Sequence, residues 1–375
     1  MPSPVPIRTV GLPRMHKEAG ERRDFLPALV RSLAAFGAER ILLEEGYGSG
    51  MGLSVADYRE AAPGVVEVAP LDGCFAADLV LVLRWPQDEL IRRMRPGSTL
   101  MTMAHFPTRP VRVALLKELG LRCVSLDCLK DDLGRRLVEN LRAVGWNGVR
   151  SALRALRDGW PDFESVARGP LRVTVMGAGA VGCHAVQAAT RYGDPPLRDE
   201  LWRRGVPGVE VTVIDYDLTG QEAYVRARLA QTDLLVDATY RPDATEVIIP
   251  NEWIGDLPAH AALLDLCVDP YLPTQTPPQV KGIEGMPEGN LDQYVFAPDD
   301  PAWDRVPPQV PTEHRRLALS CYSWPGVDPF ECMQVYGRQL EPLLRVVVTR
   351  GVEDLAPDGG SEPERAVARA ELMQY

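Results

Sequence analysis

Along residues 1–150, short apolar runs alternate with segments in which apolar residues recur every three or four positions. The apolar runs predict parallel strands buried on both faces, and they are IRTVGLP, RILLEE, ADLVLVLR, STLMTMAH and LRCVSLD. The periodic segments, which include RRDFLPALVRSLAAFG and RPVRVALLKELG, predict helices between those strands. Ser54 and Asp57 have the spacing of a capping box that opens a further short helix. This alternation predicts a parallel α/β unit.

A second unit of the same kind follows a connector. Residues 131–159, DDLGRRLVENLRAVGWNGVRSALRALRDG, predict one long helix, and LRVTVMGAGAVGCHAVQAATRYG then begins the second alternation. Its later strands are VEVTVID, DLLVDAT and AALLDLCVD, and DPFECMQVYGRQLEPLLRVVV predicts an amphipathic helix. The tail DLAPDGGSEPERAVARAELMQY predicts a solvated terminal helix. The predicted fold class is α/β, with two Rossmann-like doubly wound parallel-sheet domains.

The segment from Pro270 to Pro311 interrupts this pattern, because it contains ten prolines and little periodicity. A long segment of this kind inside a compact chain is usually a binding loop or a disordered region. Tyr271, Tyr294 and Trp303 favour an ordered loop.

Length and composition agree with two domains. The chain has 375 residues, of which 45% are hydrophobic, and this is enough for two cores. Its net charge of −11 argues against nucleic acid and against an anionic membrane surface as partners. No stretch approaches 18 apolar residues and the N-terminus has no apolar signal region, so we expect a cytoplasmic protein without a membrane span.

The seven cysteines form no CxxC pair. Cys74, Cys123, Cys128, Cys183 and Cys267 lie in or beside apolar runs, which predicts reduced, buried thiols in a cytosolic protein. No metal site is predicted.

A dinucleotide site is predicted where VTVMGAGAVG places Gly177, Gly179 and Gly182 between a strand and a helix that includes Ala180 and Val181. The glycines permit a tight turn, close approach of the backbone to a pyrophosphate, and close packing of helix on strand. The helix N-terminus supplies N–H donors for the phosphates. The alternative is a glycine-rich turn that binds no cofactor.

The acidic partner of this turn is predicted at the end of VEVTVID, where Asp215 can accept hydrogen bonds from ribose hydroxyls. A carboxylate there repels a 2′-phosphate, which favours NAD(H) over NADP(H). The segment GDPPLRDELWRRGVPG reads as an insertion that lengthens the spacing from Gly182 to Asp215. A strand-end aspartate without a ligand is the alternative.

Several segments together resemble one superfamily. They are VGLPRMHKEAGERRDFLP, EEGYGSGMGLSVADY, ADLVLVLRWP, TLMTMAHFP and LLDLCVDPY, and they resemble the alanine dehydrogenase, transhydrogenase and lysine-forming saccharopine dehydrogenase superfamily. LDCLKDDLGRRLVENLRAVGWNGV is more similar to the saccharopine dehydrogenase branch. The resemblance implies two Rossmann-like domains facing each other across a cleft. One is a discontinuous substrate domain, 1–145 with 320–375, and the other is an NAD-binding domain, 146–319.

The resemblance also implies roles for individual residues. Arg22 matches an arginine that holds a substrate carboxylate, and His105 matches the catalytic histidine. Asp269 matches an aspartate near the nicotinamide and the substrate amine, while Arg135 and Arg136 offer a second anion contact. The structural alternatives are a surface salt bridge for Arg22, a structural histidine, a loop-capping aspartate, and an ion pair on a helix surface for Arg135 and Arg136.

Arg84 departs from the superfamily pattern, which normally has a lysine that binds substrate and takes part in acid–base chemistry at this position. Arginine stays protonated in proteins and is no practical base. Either His105 and water carry the proton transfer or the reaction differs. A second carboxylate contact is the simplest role for Arg84, and the residue is retained among the candidate catalytic groups.

The leading functional prediction is an NAD(H)-dependent oxidoreductase on a C–N bond. Its substrate would be a saccharopine-like secondary amine formed from an amino acid and a keto acid. The alternatives are an alanine dehydrogenase-like enzyme on a primary amino acid, a specialised biosynthetic amine oxidoreductase, and an NAD-binding regulatory protein without turnover. A small amino-acid or keto-acid substrate is the predicted partner, and the oligomeric state is left open.

Overall fold

The computed structural model describes residues 7–375. Within that range the strands are β1 (Thr9–Leu12), β2 (Arg40–Glu44), β3 (Val66–Ala69), β4 (Leu79–Arg84), β5 (Thr99–Met103), β6 (Arg122–Ser125), β7 (Leu171–Met176), β8 (Val209–Ile214), β9 (Leu234–Asp237), β10 (Ala262–Asp265), β11 (Val295–Phe296) and β12 (Leu317–Ser320). The α-helices are α1 (Pro27–Ala35), α2 (Val55–Ala61), α3 (Leu71–Phe75), α4 (Asp88–Ile91), α5 (Pro110–Glu118), α6 (Leu141–Gly159), α7 (Ala180–Ala189), α8 (Pro195–Arg203), α9 (Tyr216–Thr219), α10 (Glu222–Leu229), α11 (Asn251–Ile254), α12 (Pro329–Arg350) and α13 (Glu362–Ala370).

The chain forms two units. Of the described residues, the first comprises 7–140 together with Asp328–Tyr375, and the second comprises Leu141–Val327. Each unit contains one six-stranded sheet and its own hydrophobic core. The predicted fold class, α/β with two Rossmann-like units, is confirmed.

The sheet of the first unit has the order β3-β2-β1-β4-β5-β6, and all its strands are parallel. Five of these strands coincide with the predicted apolar runs. The edge strand β3 was not predicted, because its sequence VEVA is short and its two central residues are exposed. Ser54 and Asp57 do form the predicted capping box at the start of α2.

The C-terminal helices α12 and α13 complete the core of the first unit. Leu340, Leu343 and Leu344 of α12 are buried in the same cluster as α1 and the sheet. The prediction of a solvated terminal helix was wrong, because one face of α13 is buried. That face consists of Ala366, Val367, Ala368 and Ala370. Small apolar residues at helical spacing allow one face of a helix to pack closely, even when the helix as a whole contains many charged residues.

The second unit has the sheet order β11-β12-β10-β9-β7-β8, in which only β11 runs antiparallel to its neighbour. The first strand of this sheet, β7, lies in its interior. The next strand along the chain, β8, is added on one side of β7, and β9 is added on the other side, so the strand order reverses at β7. In open α/β sheets, ligands bind at the carboxyl ends of the strands near such a switch point. The turn after β7 is therefore the natural position for a ligand in this unit.

Two predicted helices begin later than their periodicity indicated. Helix α1 begins at Pro27, whose fixed φ and missing N–H suit the first helical turn. Helix α6 begins at Leu141 and not at residue 131. Asp131 explains the second difference, because its Oδ1 accepts the backbone N–H groups of Leu133 and Arg135. These bonds stabilise a turn in place of a helix.

The Pro-rich segment 270–311 has defined structure. It contains β11 and a 3₁₀ helix, Pro301–Arg305, and the rings of Tyr271 and Trp303 are buried. Lys281 anchors the segment to the sheet, as described below. In the described part of the chain, no helix is both long enough and apolar enough to cross a bilayer.

A buried carboxyl group lies beside the loop that follows β2. Asp24 is 4% exposed, its Oδ2 accepts the Gly48 N–H at 2.8 Å, and the Arg14 Nε atom lies 3.6 Å away. Burial raises the pKa of Asp24 to about 6, although Gly48 and Arg14 act in the opposite direction.

Replacing Asp24 with asparagine should change how stability depends on pH. A folded-state pKa above the unfolded one means that this group contributes its full stability below about pH 4 and loses it as pH rises through about 6, a loss on the order of 3 kcal/mol. We therefore expect the Tm of Asp24→Asn, relative to the wild type, to rise between pH 4.5 and pH 7.5. A relative Tm that is constant over this interval, measured by circular dichroism, would contradict the assignment.

Candidate functional site

The glycine turn after β7 has the predicted strand–turn–helix form. β7 ends at Met176 and α7 begins at Ala180. Gly177 has a φ of 95°, and a Cβ atom there would lie 2.6 Å from the Ala238 carbonyl oxygen. A Cβ atom on Gly182 would overlap the Gly177 carbonyl oxygen. Both positions therefore require glycine for the packing of helix on strand.

Gly179 has a different reason to be glycine. A Cβ atom at this position would meet none of the described residues within 4 Å, so packing among them does not require glycine here. The residue precedes Ala180 and Val181, whose backbone N–H groups lie in the first turn of α7 and have no partner within the helix. A bare backbone at a helix N-terminus fits a pyrophosphate, and these residues therefore suit a dinucleotide.

Asp215 lies beside this turn. It follows β8 as the N-cap of α9, and its Oδ1 accepts the Ala178 N–H at 3.1 Å. The carboxylate is thus next to the glycine turn, within reach of a ribose bound there. The insertion GDPPLRDELWRRGVPG, predicted to separate the two motifs, contains α8.

Replacing Gly179 with valine should weaken dinucleotide binding without lowering stability. The new side chain enters open space, so we expect the Tm to change by less than about 2 °C, as for surface substitutions. It fills the space over the helix N-terminus, so the Kd for NADH should rise at least about tenfold. Gly182→Val is the matched contrast, because it must lower the Tm. An unchanged Kd in Gly179→Val would contradict this use of the turn.

His105 follows β5 and is held by Asp127, which follows β6. The His105 Nδ1 atom lies 3.2 Å from Asp127 Oδ2, and the imidazole is 48% exposed. With Nδ1 donating to the carboxylate, Nε2 is the nitrogen that can accept a proton. Asp127 is 6% exposed. Burial alone would raise the pKa of Asp127, but the hydrogen bonds from His105 and Ser125 outweigh it and hold that pKa well below its ordinary value.

The backbone of His105 is also held in an unusual conformation. Its φ of 53° and ψ of 46° lie in the left-handed region, which non-glycine residues seldom adopt. Asp127 Oδ1 stabilises this conformation by accepting the His105 N–H at 3.0 Å, and it also accepts the Ser125 hydroxyl at 2.8 Å. One buried carboxylate therefore fixes both the backbone and the ring of His105, as expected for a proton-transfer group.

Arg84 lies at the end of β4, where the pairing of β4 with β5 shifts register between Leu81 and Arg84. Such irregularities re-aim side chains at the ends of strands. The Arg84 Nη2 atom lies 3.6 Å from Glu18 Oε1, and both side chains are 32% exposed. The guanidinium is thus half-buried beside an acidic side chain.

The two arginines at positions 22 and 23 differ in how far they are exposed to solvent. Arg22 is exposed, whereas Arg23 is buried and forms an ion pair with Glu21 at 2.5 Å. Arg23 is therefore occupied within the fold, and Arg22 has the exposure that a substrate contact needs. Its predicted role in carboxylate binding stays a prediction.

Arg135 and Arg136 lie in the turn that precedes α6. The Arg135 Nε atom lies 2.7 Å from Asp131 Oδ2, and its side chain is 74% exposed. Arg136 is exposed and pairs through its backbone with Lys130. The ion pair of Arg135 matches the structural alternative given for it, although it lies in a turn and not on a helix. An anion contact for either arginine stays a prediction.

In the second unit, Asp265 organises the end of β10. Its Oδ1 accepts the N–H groups of Cys267 and Val268, at 3.0 and 2.9 Å. Its Oδ2 accepts the Lys281 ammonium at 2.8 Å, and both side chains are 4% exposed. Val268 has a φ of 62°, which is a rare conformation for a β-branched residue. The hydrogen bond that its N–H donates to Asp265 stabilises this conformation. The strained residue lies directly before Asp269.

Asp269 is engaged by a buried arginine. The Arg241 Nη2 atom donates to Asp269 Oδ2 at 2.6 Å, and the Arg241 side chain is 1% exposed while that of Asp269 is 36% exposed. Arg241 also donates to the Val280 and Glu246 carbonyl oxygens. Asp269 is therefore fixed by a permanent cation and by the backbone that precedes it.

A compact acidic cluster lies behind Asp269. Asp237, Asp265 and Cys267 offer ligand atoms within 4.8 Å of one another. The Lys281 ammonium already places a positive charge on Asp265, and it also donates to the Asp269 carbonyl oxygen and the Ser320 hydroxyl. The lysine therefore already occupies the position beside Asp265 Oδ2 that a cation would take.

The cysteines are free thiols, but two of those predicted to be buried are not. Cys183 is exposed in the first turn of α7, and Cys267 is partly exposed at the end of β10. Cys183 lies in the helix that follows β7 and Cys267 lies two residues after β10, so both are beyond the part of the backbone that the sheet buries.

Sequence reasoning missed four residues of these sites: Asp127, Arg241, Asp265 and Lys281. Asp127 and Asp265 end apolar strands, and a strand-end aspartate is the signal that singled out Asp215. Lys281 is one of only four lysines in a chain with 41 basic residues, and it lies in the Pro-rich segment. Nothing in the sequence around Arg241 indicates that its side chain is buried.

The chain is similar to several known proteins. Residues 11–141 match the family model described as alanine dehydrogenase/PNT, N-terminal domain. The alanine dehydrogenase of Halomonas elongata is 24% identical over 275 residues, which are 69% of this chain and 72% of that protein.

Two solved structures share the fold. An L-alanine dehydrogenase structure superposes with a TM-score of 0.69 at 18% identity, over 97% of this chain and 94% of its own. A transhydrogenase structure from Sinorhizobium meliloti has a TM-score of 0.62 at 16% identity, over 91% of this chain and 94% of its own. The segment 11–141 is therefore similar to the alanine dehydrogenase/PNT N-terminal domain, and the whole chain has the fold of the solved L-alanine dehydrogenase.

Proposed function

We propose that the protein is an NAD(H)-dependent amino-acid dehydrogenase that interconverts a primary amino acid with a keto acid and ammonia. The observation that carries the proposal is the half-exposed imidazole of His105, oriented by buried Asp127 inside the segment that matches the alanine dehydrogenase/PNT N-terminal domain. The similar protein from Halomonas elongata and one of the similar solved structures are both alanine dehydrogenases. This favours a reaction on a primary amine over the saccharopine-like reaction.

NAD(H) is the proposed cofactor. Gly177, Gly179 and Gly182 with the first turn of α7 would hold the pyrophosphate, and Asp215 would accept hydrogen bonds from the ribose. When bound, the nicotinamide accepts or donates the hydride of the reaction. The carboxylate of Asp215 favours NAD(H) over NADP(H), because it repels a 2′-phosphate.

The chain's own residues would bind the substrate and move protons. Arg22 would bind the substrate carboxylate through its planar fork of N–H donors. In the direction of deamination, His105 Nε2 would take a proton from the water that adds to the imine carbon, and it would return a proton to the leaving ammonia. Asp127 would stabilise the imidazolium between these steps. Asp269, fixed by Arg241, would orient the amine.

Arg84 decides the class of amino acid in this proposal. It cannot serve as a base, and its guanidinium near Glu18 is suited to a second carboxylate. This role of Arg84 predicts a dicarboxylic amino acid as the substrate. The same observation supports the second candidate, a saccharopine-like secondary amine that carries several carboxylates.

The test is oxidation of NADH by the purified protein with ammonia and a series of keto acids. We expect ammonia-dependent turnover, with 2-oxoglutarate or oxaloacetate preferred to pyruvate. Turnover with lysine and 2-oxoglutarate, but not with ammonia, would establish the second candidate instead. Binding of NADH without turnover of any amine and keto-acid pair would contradict both candidates and support a regulatory role.

A further inference from the structure

Three arginines are grouped at the carboxyl edge of the sheet of the first unit, around the turn that contains His105. Arg84 ends β4, while Arg109 and Arg112 lie at the start of α5, which follows that turn. Such a group departs from the general character of a chain whose net charge is −11. Burial and the charges of Arg109 and Arg84 lower the pKa of the Arg112 guanidinium, so the three charges lie near one another.

Two contacts fix the guanidinium of Arg112. Its Cζ atom lies 4.7 Å from the centre of the Trp85 ring, which is 5% exposed, and Trp85 directly follows Arg84. Its Nη1 atom donates to the Ala104 carbonyl oxygen at 3.2 Å, and Ala104 directly precedes His105. The guanidinium is therefore held in contact with the chain neighbours of both candidate site residues, at the ends of two adjacent strands.

These contacts leave one edge of the Arg112 guanidinium free. Among residues 7–375, its Nε and Nη2 atoms have no hydrogen-bond acceptor and its charge has no ion-pair partner. Nε and Nη2 form the edge that pairs bidentately with a carboxylate. The same two atoms of Arg40 bind the Glu67 carboxylate in this way, at 2.9 and 2.7 Å. Arg112 thus presents an unused carboxylate-binding edge.

Two carboxylates act on the charge of Arg112 through space, but other groups hold both of them. Asp88 accepts the indole N–H of Trp85 at 2.9 Å, and Asp127 holds His105. Neither forms an ion pair with Arg112, so its free edge stays available to an anion from solution.

We propose that Arg112 binds the second carboxylate of a dicarboxylic substrate through Nε and Nη2, beside Arg84. The inference rests on the proposed function and adds the residue that distinguishes dicarboxylic from monocarboxylic keto acids. Arg22 would hold the carboxylate next to the reacting carbon, while Arg112 recognises the distal one. Stacking on Trp85 preorganises the planar fork, which lowers the entropic cost of binding.

The test compares the two classes of keto acid in ammonia-dependent oxidation of NADH. Arg112→Met keeps an unbranched stem against Trp85 and removes the charge and the donors. We expect its KM for 2-oxoglutarate to rise at least about tenfold, from the loss of charge-assisted hydrogen bonds. Its KM for pyruvate, which lacks a second carboxylate, should change less than about twofold. Inhibition by glutarate and by butyrate gives the same comparison for analogues that do not react.

Two further variants complete the experiment. Arg112→Lys keeps the charge without the planar fork, so its KM for 2-oxoglutarate should lie between those of the wild type and Arg112→Met. Arg92→Met is the matched control, because Arg92 follows α4 in the same unit and its half-exposed side chain pairs with Glu118 at 3.1 Å. This control should leave both KM values unchanged.

The outcomes separate this inference from the proposed function. If the wild type turns over keto acids and Arg112→Met keeps the wild-type KM for 2-oxoglutarate within twofold, the inference is overturned while the proposed function stands. Equal increases in the KM for 2-oxoglutarate and for pyruvate would also overturn it, because they would show that Arg112 only supports the turn. If the wild type turns over no keto acid with ammonia, the proposed function fails and the inference fails with it.

Discussion

Replacing His105 with alanine is expected to lower kcat for ammonia-dependent NADH oxidation by about 10²–10⁴-fold, the usual contribution of a positioned acid–base group. The Kd for NADH should stay within twofold, because the glycine turn lies in the other unit of the chain. Steady-state kinetics and calorimetry on the same preparation separate the two effects. A kcat within fivefold of the wild type would show that His105 does not transfer the proton.

Asp127→Asn is the sharper variant at the same site. An asparagine amide that donates to Nδ1 would place the ring proton on Nε2, which removes the base while the ring stays in position. We expect a loss in kcat of at least about tenfold with little change in Tm. The pKa of Asp127 is held well below its ordinary value, so the wild-type rate profile should show no titration of this carboxyl above about pH 4.

Replacing Lys281 with methionine is expected to lower the free energy of unfolding by about 3–5 kcal/mol, because it leaves Asp265 as a buried charge without its cation. The nearby Asp237 increases this cost. Burial and the charge of Asp265 both raise the pKa of Asp237, and its Oδ2 atom is buried and has no hydrogen-bond partner among residues 7–375. Urea denaturation followed by circular dichroism measures the loss.

Two controls accompany the Lys281 variant. Lys117→Met removes an exposed lysine and should change stability by less than about 0.5 kcal/mol. The double variant Lys281→Met/Asp265→Asn removes both charges and should recover part of the loss. A Lys281→Met protein as stable as the wild type would show that the pair contributes nothing to the fold, and a double variant less stable than Lys281→Met would show that the unpaired charge is not the cause.

The sequence predicts the fold more accurately than it predicts where the individual helices and strands begin and end. The buried strands β4, β5 and β7 are continuous apolar runs, and a parallel sheet buries such runs on both faces. Helix borders depend on local competition that periodicity ignores. Pro27 and the side chain of Asp131 determine where α1 and α6 begin. Edge strands such as β3 and β11 are too short and too exposed to produce a pattern.

The residues of the candidate site also form two groups. Local sequence places the first group, whereas the second group comes together only in the folded sheet. The placement of Gly177, Gly179, Gly182 and Asp215 at strand ends was predictable, because it is read directly from the order of apolar runs and glycines along the chain. The pair of His105 and Asp127 joins residues 22 positions apart through the register of β5 and β6.

Arg241 and Asp269 are 28 positions apart, and they meet only after their strands are aligned in the sheet. Distance along the chain thus conceals the groups that orient the predicted catalytic residues. Five predicted roles concern a bound substrate and stay predictions; they are those of Arg22, Arg84, Asp269, Arg135 and Arg136.

The discontinuity of the first unit has a consequence for synthesis on the ribosome. Its six strands are complete by Ser125, but Leu340 and Val367, which lie in the same core as those strands, are translated more than 200 residues later. The nascent sheet must therefore persist with apolar surface uncovered while the whole continuous second unit emerges and folds. This order predicts that, during translation, the N-terminal segment exposes apolar surface for longer than the continuous second unit does.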